Sequence, residues 1–403
     1  MTSTTVDHPA LRERSDDQAA RVRARRRLAV PGVATGPFWV LAAVVTVLNM
    51  VGLIMVLSAS SVVSVRQGAP AWSLFERQVV WTSFGLAALV MCLTVSVDLW
   101  RRHVRLWMGL SVVLLILVLV PRIGQSANGA TRWIALGPVQ LQPSEFAKFA
   151  LVLLVADLLD RRADRVHDWR WSLRPAVFYL GVVAALVMAQ PNLGTTIIIA
   201  ATTLIVLFVA GAPLIGLSMV TLAGAAVAAV SVASTPFRRI RFLRFLNPWA
   251  DPADTGLQNI QSLVGLANGG LLGRGLGRST AKWGFLPFAH TDFIFAVIGE
   301  EFGLVGALVV VALFLGVALL GTAIAMAARD QFSRLVATGI TAWLTVQAFM
   351  NIGAVIGIMP ITGVPLPFVS SGGSSLIVNL AAVGMLLNIA RHPADAASFR
   401  VVP

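Results

Sequence analysis

Ten stretches of this chain are apolar and near the length a helix needs to cross a bilayer: 38–59, 79–97, 105–121, 144–159, 174–190, 193–210, 213–234, 293–326, 335–357 and 367–390. About 20 such residues cover the roughly 30 Å of hydrocarbon, so the pattern predicts an all-α polytopic membrane protein with ten transmembrane helices. Composition points the same way: of 403 residues 57% are apolar and 12% charged, against about 45–50% and 25% in soluble domains. These departures exclude a soluble enzyme, a disordered chain and a nucleic-acid binder, despite a net charge of +13. The stretch 293–326 exceeds one crossing, so its cytoplasmic end is expected to project from the bilayer or tilt within it.

Arginine placement sets the orientation. With the N-terminus inside, nineteen arginines gather on the cytoplasmic side: seven from Arg12 to Arg27, then Arg101, Arg102 and Arg105, five from Arg161 to Arg174, Arg329 and Arg334, and Arg391 and Arg400. The short outer loops hold only Arg66, Arg77, Arg122 and Arg132. The positive-inside rule therefore places both termini in the cytoplasm. Residues 235–291, between the seventh and eighth spans, then form a long extracytoplasmic loop carrying Arg238, Arg239, Arg241, Arg244, Arg274, Arg278 and Lys282. Long loops translocate largely regardless of charge. A connection of about 57 residues is also far longer than usual, which marks it as functional.

The chain divides into a basic cytoplasmic tail (1–37), a transmembrane domain (38–392) and a short cytoplasmic C-terminal tail (393–403). The first tail is polar, ends in Pro31-Gly32 and has no cleavage-type motif after a short apolar core, so it is not a signal peptide. The single cysteine, Cys92, excludes an intramolecular disulfide and a cysteine-based zinc site.

Ionisable residues at membrane depth are costly and are functional candidates by default. Those here are Glu145, Lys148, Asp157, Asp292, Glu300 and Glu301. Asp292, at the end of the long loop, is either an N-cap of the next helix, a role Thr291 could share, or a carboxylate at the mouth of a cavity. In the second case it could act as a general base or help hold a divalent cation. Glu145 and Lys148 share a helix face at i, i+3 and form either a buried pair that fixes packing or a pair lining a polar cavity. Glu300 and Glu301 are adjacent, so at most one is expected to face the cavity of Asp292. The glycine-rich stretch from Asn268 to Arg278, beside Arg274, offers backbone nests for a pyrophosphate or is a flexible loop. Pro365 to Ser375 suggests a broken start to the last helix, or close packing through small residues.

Specific motifs accompany these residues: Gly52-Leu53-Ile54-Met55-Val56-Leu57-Ser58-Ala59-Ser60, Asn128-Gly129-Ala130-Thr131-Arg132-Trp133, Gln142-Pro143-Ser144-Glu145, Asn247-Pro248-Trp249 and Gln261-Ser262-Leu263. His290-Thr291-Asp292-Phe293-Ile294-Phe295 follows with Gly299-Glu300-Glu301, and Gly363-Val364-Pro365-Leu366-Pro367 with Gly372-Gly373-Ser374-Ser375. Together, over residues 38–392, they resemble the SEDS family (shape, elongation, division and sporulation), the bacterial membrane glycosyltransferases typified by FtsW and RodA. The basic N-terminal tail and Ala281-Lys282-Trp283-Gly284-Phe285-Leu286-Pro287 resemble the actinobacterial FtsW type. Three positions depart from the family pattern. Asn192 stands where an acidic residue is usual, Phe288 where Glu or Asn is common, and Ser371 where an aromatic often precedes Gly-Gly.

The resemblance implies a multi-pass protein of the bacterial cytoplasmic membrane that polymerises lipid II into β-1,4 glycan strands on the outer face during cell division. It implies Asp292 as the catalytic base, alone or with a divalent cation (Mg²⁺ or Mn²⁺), and no organic cofactor. Glu145, Lys148, Arg132, His290, Arg274, Lys282 and Ser374 are the expected substrate-binding residues. The implied partners are lipid II, a cognate class B penicillin-binding protein, division-complex proteins and membrane lipid, with no nucleic acid. Residue physics alone leaves open a lipid II flippase or a scaffold, and the resemblance leaves open a RodA-type elongation polymerase.

Overall fold

The computed structural model describes residues 34–66, 68–127, 130–136 and 139–394. Most of the two expected tails, and Asn128 and Gly129 of the motif before Arg132, lie outside the described residues. Among the described residues thirteen α-helices form. They are α1 (Gly36–Arg66), α2 (Ser73–Thr94), α3 (Val97–Arg102), α4 (Val104–Leu119), α5 (Pro143–Asp160), α6 (Leu173–Ala189) and α7 (Leu193–Val209). The rest are α8 (Leu214–Ser234), α9 (Pro236–Leu246), α10 (Leu257–Gly269), α11 (Ile294–Met326), α12 (Gln331–Val355) and α13 (Gly373–Ala390).

Each predicted apolar stretch coincides with one of these helices. Six of them, α1, α2, α8, α11, α12 and α13, are long and apolar enough to cross a membrane. Helices α4, α6 and α7 are apolar but only 16 or 17 residues long. Helix α5 has 18 residues and carries four charged side chains, Glu145, Lys148, Asp157 and Asp160.

The all-α expectation needs one correction. Between α4 and α5 the chain forms a three-stranded antiparallel sheet, β1 (Gly124–Ala127), β2 (Ala130–Leu136) and β3 (Val139–Leu141), in that order. Ile134 pairs with both Gly124 and Leu141. Thr131, Trp133 and Ile134 are β-branched or aromatic and favour a pleated, half-buried surface. The sheet holds Arg132 at the α5 end of the connection.

A second correction concerns α11. The helix breaks at Gly303 (φ 68°, ψ −165°), near its Asp292 end, which shortens its continuous part. The remainder, 304–326, is about 34 Å long at 1.5 Å per residue, enough for one crossing. A side chain at Gly303 would run into the backbone of Leu271 and Gly273. The peptide groups freed by the break are satisfied across that contact. Arg274 N and Gly275 N donate to the carbonyls of Glu300 and Glu301, each at 3.0 Å, and Leu304 N and Val305 N to those of Gly270 and Leu271 at 2.9 and 3.2 Å.

The packing centre is α12 and α13. Helix α13 is 83% buried within the protein and α8 only 6%, so α8 leaves nearly all of its apolar surface uncovered by the rest of the chain. The last helix begins at Gly373, and the irregular segment before it folds into the protein with Val364, Leu366, Phe368 and Val369 buried. A Cβ at Gly52 of α1 would collide with the carbonyl of Phe368. Irregular backbone at this depth is tolerated because it is surrounded by protein.

Candidate active site

Asp292 lies in the turn before α11. The cap position of that helix is Phe293, with no side-chain cap bond. The capping role expected of Thr291 or Asp292 is therefore not taken up, and the carboxylate is available for other work. It is half-buried beside Gly363 (φ +69°), where a Cβ would lie 3.6 Å from Asp292 Oδ2. Burial pushes the carboxyl pKa up to about 6, against the opposing pull of the Arg241 and Arg132 guanidiniums.

Those two cations come from separate elements. Arg132, on β2, donates Nε to the Gln190 carbonyl at 3.3 Å and Nη2 to that of Pro191, which fixes it on the turn between α6 and α7. Arg241, on α9, donates Nη1 to the Ile361 carbonyl at 3.5 Å. Burial lowers the pKa of both guanidiniums. For Arg132 the charges of Arg241 and Arg238 add to that lowering, while Asp292 opposes it. Arg238 thus belongs to the same electrostatic neighbourhood. It stands three residues before Arg241, on the same face of α9, whereas Ile240, Phe242, Leu243 and Leu246 are exposed. The helix turns its arginine stripe inward and its apolar side outward.

Asn192, the departure from the family pattern, follows Pro191 directly and caps α7, accepting from Thr195 N at 3.3 Å. Its Nδ2 is buried without a hydrogen-bond partner. The capping geometry an aspartate would supply is kept while one negative charge is lost beside Arg132.

The other expected site residues distribute unevenly. His290 lies two residues before Asp292, and its burial lowers the imidazole pKa and keeps the ring neutral at pH 7. Glu145 and Lys148 form a closed ion pair of 2.9 Å, their side chains 3% and 2% exposed. Lys148 Nζ also donates to Gln347 Oε1 at 2.8 Å and lies 4.7 Å from the centre of the Trp343 ring. The packing alternative for this pair is the one realised. Ser374 Oγ accepts from Gln142 N at 3.1 Å and ties the start of α13 to the start of α5.

Arg274, Lys282, Glu300 and Glu301 gather around the break in α11, a separate centre from Asp292. Glu300 accepts from Ser279 Oγ at 2.5 Å, from Thr280 N and Oγ1 at 2.9 and 2.6 Å, and from Ala281 N at 3.1 Å. Glu301 accepts from Ser58 Oγ of α1 at 2.7 Å and pairs with Lys282 Nζ at 3.2 Å. Lys282 is only 4% exposed, and its charge is paired with Glu301. Neither glutamate faces Asp292, because both carboxylates are saturated by the 279–282 segment. The glycine-rich stretch likewise donates two of its amides, Arg274 N and Gly275 N, to α11 carbonyls, and is fastened to the helix there and not a free loop. Asp157, at the other end of α5, is clamped by Arg101 and Arg161 at 2.8 and 2.7 Å.

Sequence reasoning counted Arg238 and Arg241 as loop charges and missed them as site residues. Their signal is the i, i+3 spacing in Pro236-Phe237-Arg238-Arg239-Ile240-Arg241, which puts two arginines on one face. Asn351, whose Nδ2 donates to the Asp292 carbonyl at 2.8 Å, was also missed. It continues the stripe of Trp343 and Gln347 at spacings of four on α12.

For a divalent cation the donor set is thin. Among the described residues no group of three His, Cys, Asp or Glu side chains could hold a metal, and Asp292 has two guanidiniums as its charged neighbours. Mg²⁺ is commonly held by one or two carboxylates together with substrate phosphates. The residues present therefore fit a cation arriving with a phosphorylated substrate, with Asp292 as its one protein carboxylate, and do not fit a resident ion.

The fold and site define a polytopic membrane protein that presents a carboxylate among arginines at one end of its helices. The chain belongs to the FtsW, RodA and SpoVE family of cell cycle proteins, whose sequence pattern matches residues 38–395. It is 43% identical over 360 residues to the probable peptidoglycan glycosyltransferase FtsW of Mycobacterium tuberculosis, covering 89% of this chain and 68% of that one. It is 40% identical over 346 residues to the protein of the same name from Geobacter metallireducens, covering 85% and 91%. A chain solved within a peptidoglycan synthase complex that coordinates polymerization and crosslinking superposes with a TM-score of 0.71 at 30% identity, over 88% of this chain and 97% of that one.

Proposed function

We propose that this protein is a peptidoglycan glycosyltransferase that polymerises lipid II into β-1,4 glycan strands on the outer face of the cytoplasmic membrane during cell division. The observation that carries the proposal is the half-buried carboxylate of Asp292 lying within charge range of the guanidiniums of Arg132 and Arg241, with Arg238 acting on Arg132 behind them. Names and folds of the relatives support the activity, the ten helices that match the ten apolar stretches support ten crossings, and the arginine distribution supports termini inside. The partner is a cognate class B penicillin-binding protein within the division complex, in keeping with the similarity to a synthase that couples polymerization to crosslinking.

The division of charge suits an inverting displacement. A sugar hydroxyl is a weak nucleophile and needs a base, while a pyrophosphate leaves readily once cations stabilise its developing charge. Asp292 takes the proton from the 4-hydroxyl of the acceptor GlcNAc. The freed oxygen attacks the anomeric carbon of the donor MurNAc, the bond to the pyrophosphate breaks, and α configuration becomes β. Undecaprenyl pyrophosphate leaves with the bonding electron pair, its new charge met by Arg132, Arg238 and Arg241. A divalent cation bound with the pyrophosphate would neutralise part of the same charge. The outward apolar sides of α8 and α9 give the polyprenyl tails a lipid-facing surface.

Polymerisation of lipid II by the purified protein with its cognate partner tests this, comparing wild type with Asp292→Asn. A glycan ladder from wild type that disappears with the variant is the expected result. Equal ladders overturn the assignment of Asp292. No ladder from either, with the partner bound, overturns the polymerase and favours flippase or scaffold. The closed Glu145–Lys148 pair argues against a translocation path through α5, since opening it would strand two buried charges. Activity with an elongation partner and none with a division partner would move the protein to the RodA type.

A further inference from the structure

The turn that carries Asp292 is held by its own peptide carbonyls. The His290 carbonyl accepts from Ser371 N at 3.0 Å, the Thr291 carbonyl from Ser370 Oγ at 2.6 Å, and the Asp292 carbonyl from Asn351 Nδ2 at 2.8 Å. Three consecutive carbonyls are thus fastened to α12 and to the segment before α13. The two side chains that do this are themselves fixed. Ser370 Oγ also accepts from Leu366 N at 2.9 Å, and Asn351 Nδ2 spends its second hydrogen on the Val364 carbonyl at 2.8 Å. An amide nitrogen has two hydrogens and a hydroxyl one, so neither group has a donor left for another task.

The same face of α12 carries the chain of contacts further. Gln347, one turn before Asn351, donates Nε2 to the Pro365 carbonyl at 3.0 Å and accepts from Lys148 Nζ and Trp343 Nε1, each at 2.8 Å. Asn351 and Gln347 together fasten both the 364–365 backbone and the Asp292 turn. The two segments that meet here each contain a left-handed residue that is not glycine, Phe288 at φ 60° and Phe368 at φ 64°. Such conformations persist only where surrounding structure over-determines them, and these anchored carbonyls are such surroundings. With the peptides of 290–292 fixed and α11 starting at Ile294, the Asp292 carboxylate moves only through its own side-chain torsions.

We propose that Asn351 and Ser370 are positioning residues for Asp292: each holds the peptide backbone of its turn so that the carboxylate meets the acceptor hydroxyl, and neither touches substrate. This rests on the assignment of Asp292 as base. Neither side chain has a hydrogen to offer a ligand, and Asn351 Oδ1, though without a hydrogen-bond partner, is itself buried, so their removal acts through geometry. A misplacement of about 1 Å costs on the order of a hundredfold in rate.

The test uses the full chain with its cognate partner and measures kcat and KM for lipid II from pH 5 to 9. Asn351→Leu keeps the side-chain volume and removes the donor. It is expected to lower kcat about tenfold to a hundredfold with KM within about twofold. The acid limb of its kcat profile should move toward lower pH as water reaches Asp292. Ser370→Thr and Ser370→Val match in size and differ in the hydroxyl, and the threonine variant is expected to be at least about tenfold faster. This second pair decides the matter if Asn351→Leu fails to fold. Wild-type kcat in Asn351→Leu, an unmoved acid limb, or equal rates for the two Ser370 variants would overturn the proposal. Asp292→Asn is measured alongside. Should it retain activity, the base assignment itself falls; an inactive Asp292→Asn beside an unaffected Asn351→Leu removes the positioning role alone.

Discussion

Two acidic centres lie eight residues apart on one stretch of chain, and they are built on opposite plans. Around Glu300 and Glu301 every charge is answered from within the protein: hydroxyls and amides of 279–281 on one carboxylate, Ser58 and Lys282 on the other. Around Asp292 two guanidiniums face one carboxylate, and hydrogen bonds from Asn351 and Ser370 fix the peptide backbone of its turn. A saturated centre fixes structure. A centre with surplus charge and a raised carboxyl pKa is arranged for a ligand it does not itself provide. The difference separates a structural clasp from the proposed reaction site.

Breaking the second centre should have the largest effect. Asp292→Asn is expected to lower lipid II polymerisation by about 10²–10⁴-fold, the usual contribution of a general base, read from initial rates of glycan formation. The same substitution should leave the fold more stable at pH 8. The folded carboxyl binds its proton more tightly than the unfolded chain does, so its favourable contribution exists below the unfolded pKa and is lost as pH rises through about 6. A variant that is inactive and has a higher Tm at pH 8 would fit a functional site, and a lower Tm would place Asp292 with the structural acids.

Breaking the first centre should cost stability and not chemistry. Glu301→Gln leaves Lys282 buried without its counter-charge, and removing one partner of a buried pair costs about 3–5 kcal/mol. Glu301→Met together with Lys282→Met should recover most of that loss, because no unpaired charge remains. Thermal unfolding of wild type and these two variants in detergent checks this, with kcat expected to follow the folded fraction. Arg241→Ala sits between the two plans. A donor lost from a site of developing charge costs about 10²–10³-fold in kcat, and Arg241→Lys should restore little, since a compact ammonium does not reproduce the planar fork.

The contrast between the centres also explains what could be read from sequence. The apolar stretches announced the helices because hydropathy over about 20 residues is a local property. Asp292 was legible because a carboxylate at a span boundary is rare, and Arg132 through the motif around it. The pairing of Lys282 was not legible because sequence shows a charge and not its partner: Glu301 is nineteen residues away and Ser58 is on the first helix. The break at Gly303 was invisible for the same reason, since it depends on the backbone of Leu271 and Gly273 coming into contact. The shared face of Arg238 and Arg241 is legible from their i, i+3 spacing once residues 236–246 are a helix.

The pH response sharpens the comparison at a smaller scale. A base works only when deprotonated, so kcat/KM should rise about tenfold per pH unit below 6 and level off above it. Activity and the Asp292 contribution to stability therefore move in opposite directions across that window. Asn351→Leu should shift the bend downward, whereas Glu301→Gln should leave it in place.

Arg274→Ala should have the smallest effect, and it decides where the boundary between the centres runs. Its side chain is 40% exposed and reaches Glu300 at 3.5 Å. An exposed pair contributes about 0–1 kcal/mol, and Glu300 keeps its bonds from Ser279, Thr280 and Ala281 when the guanidinium is gone. The expected result is a change in Tm of about 1–3 °C and a kcat/KM within about twofold of wild type. A tenfold rise in KM that weakens with added salt would mean that Arg274 meets the pyrophosphate after all, and that the clasp and the reaction site share a wall. With Arg274 excluded, anion binding is left to the cations on β2 and α9, which approach Asp292 from elements that the break in α11 does not touch.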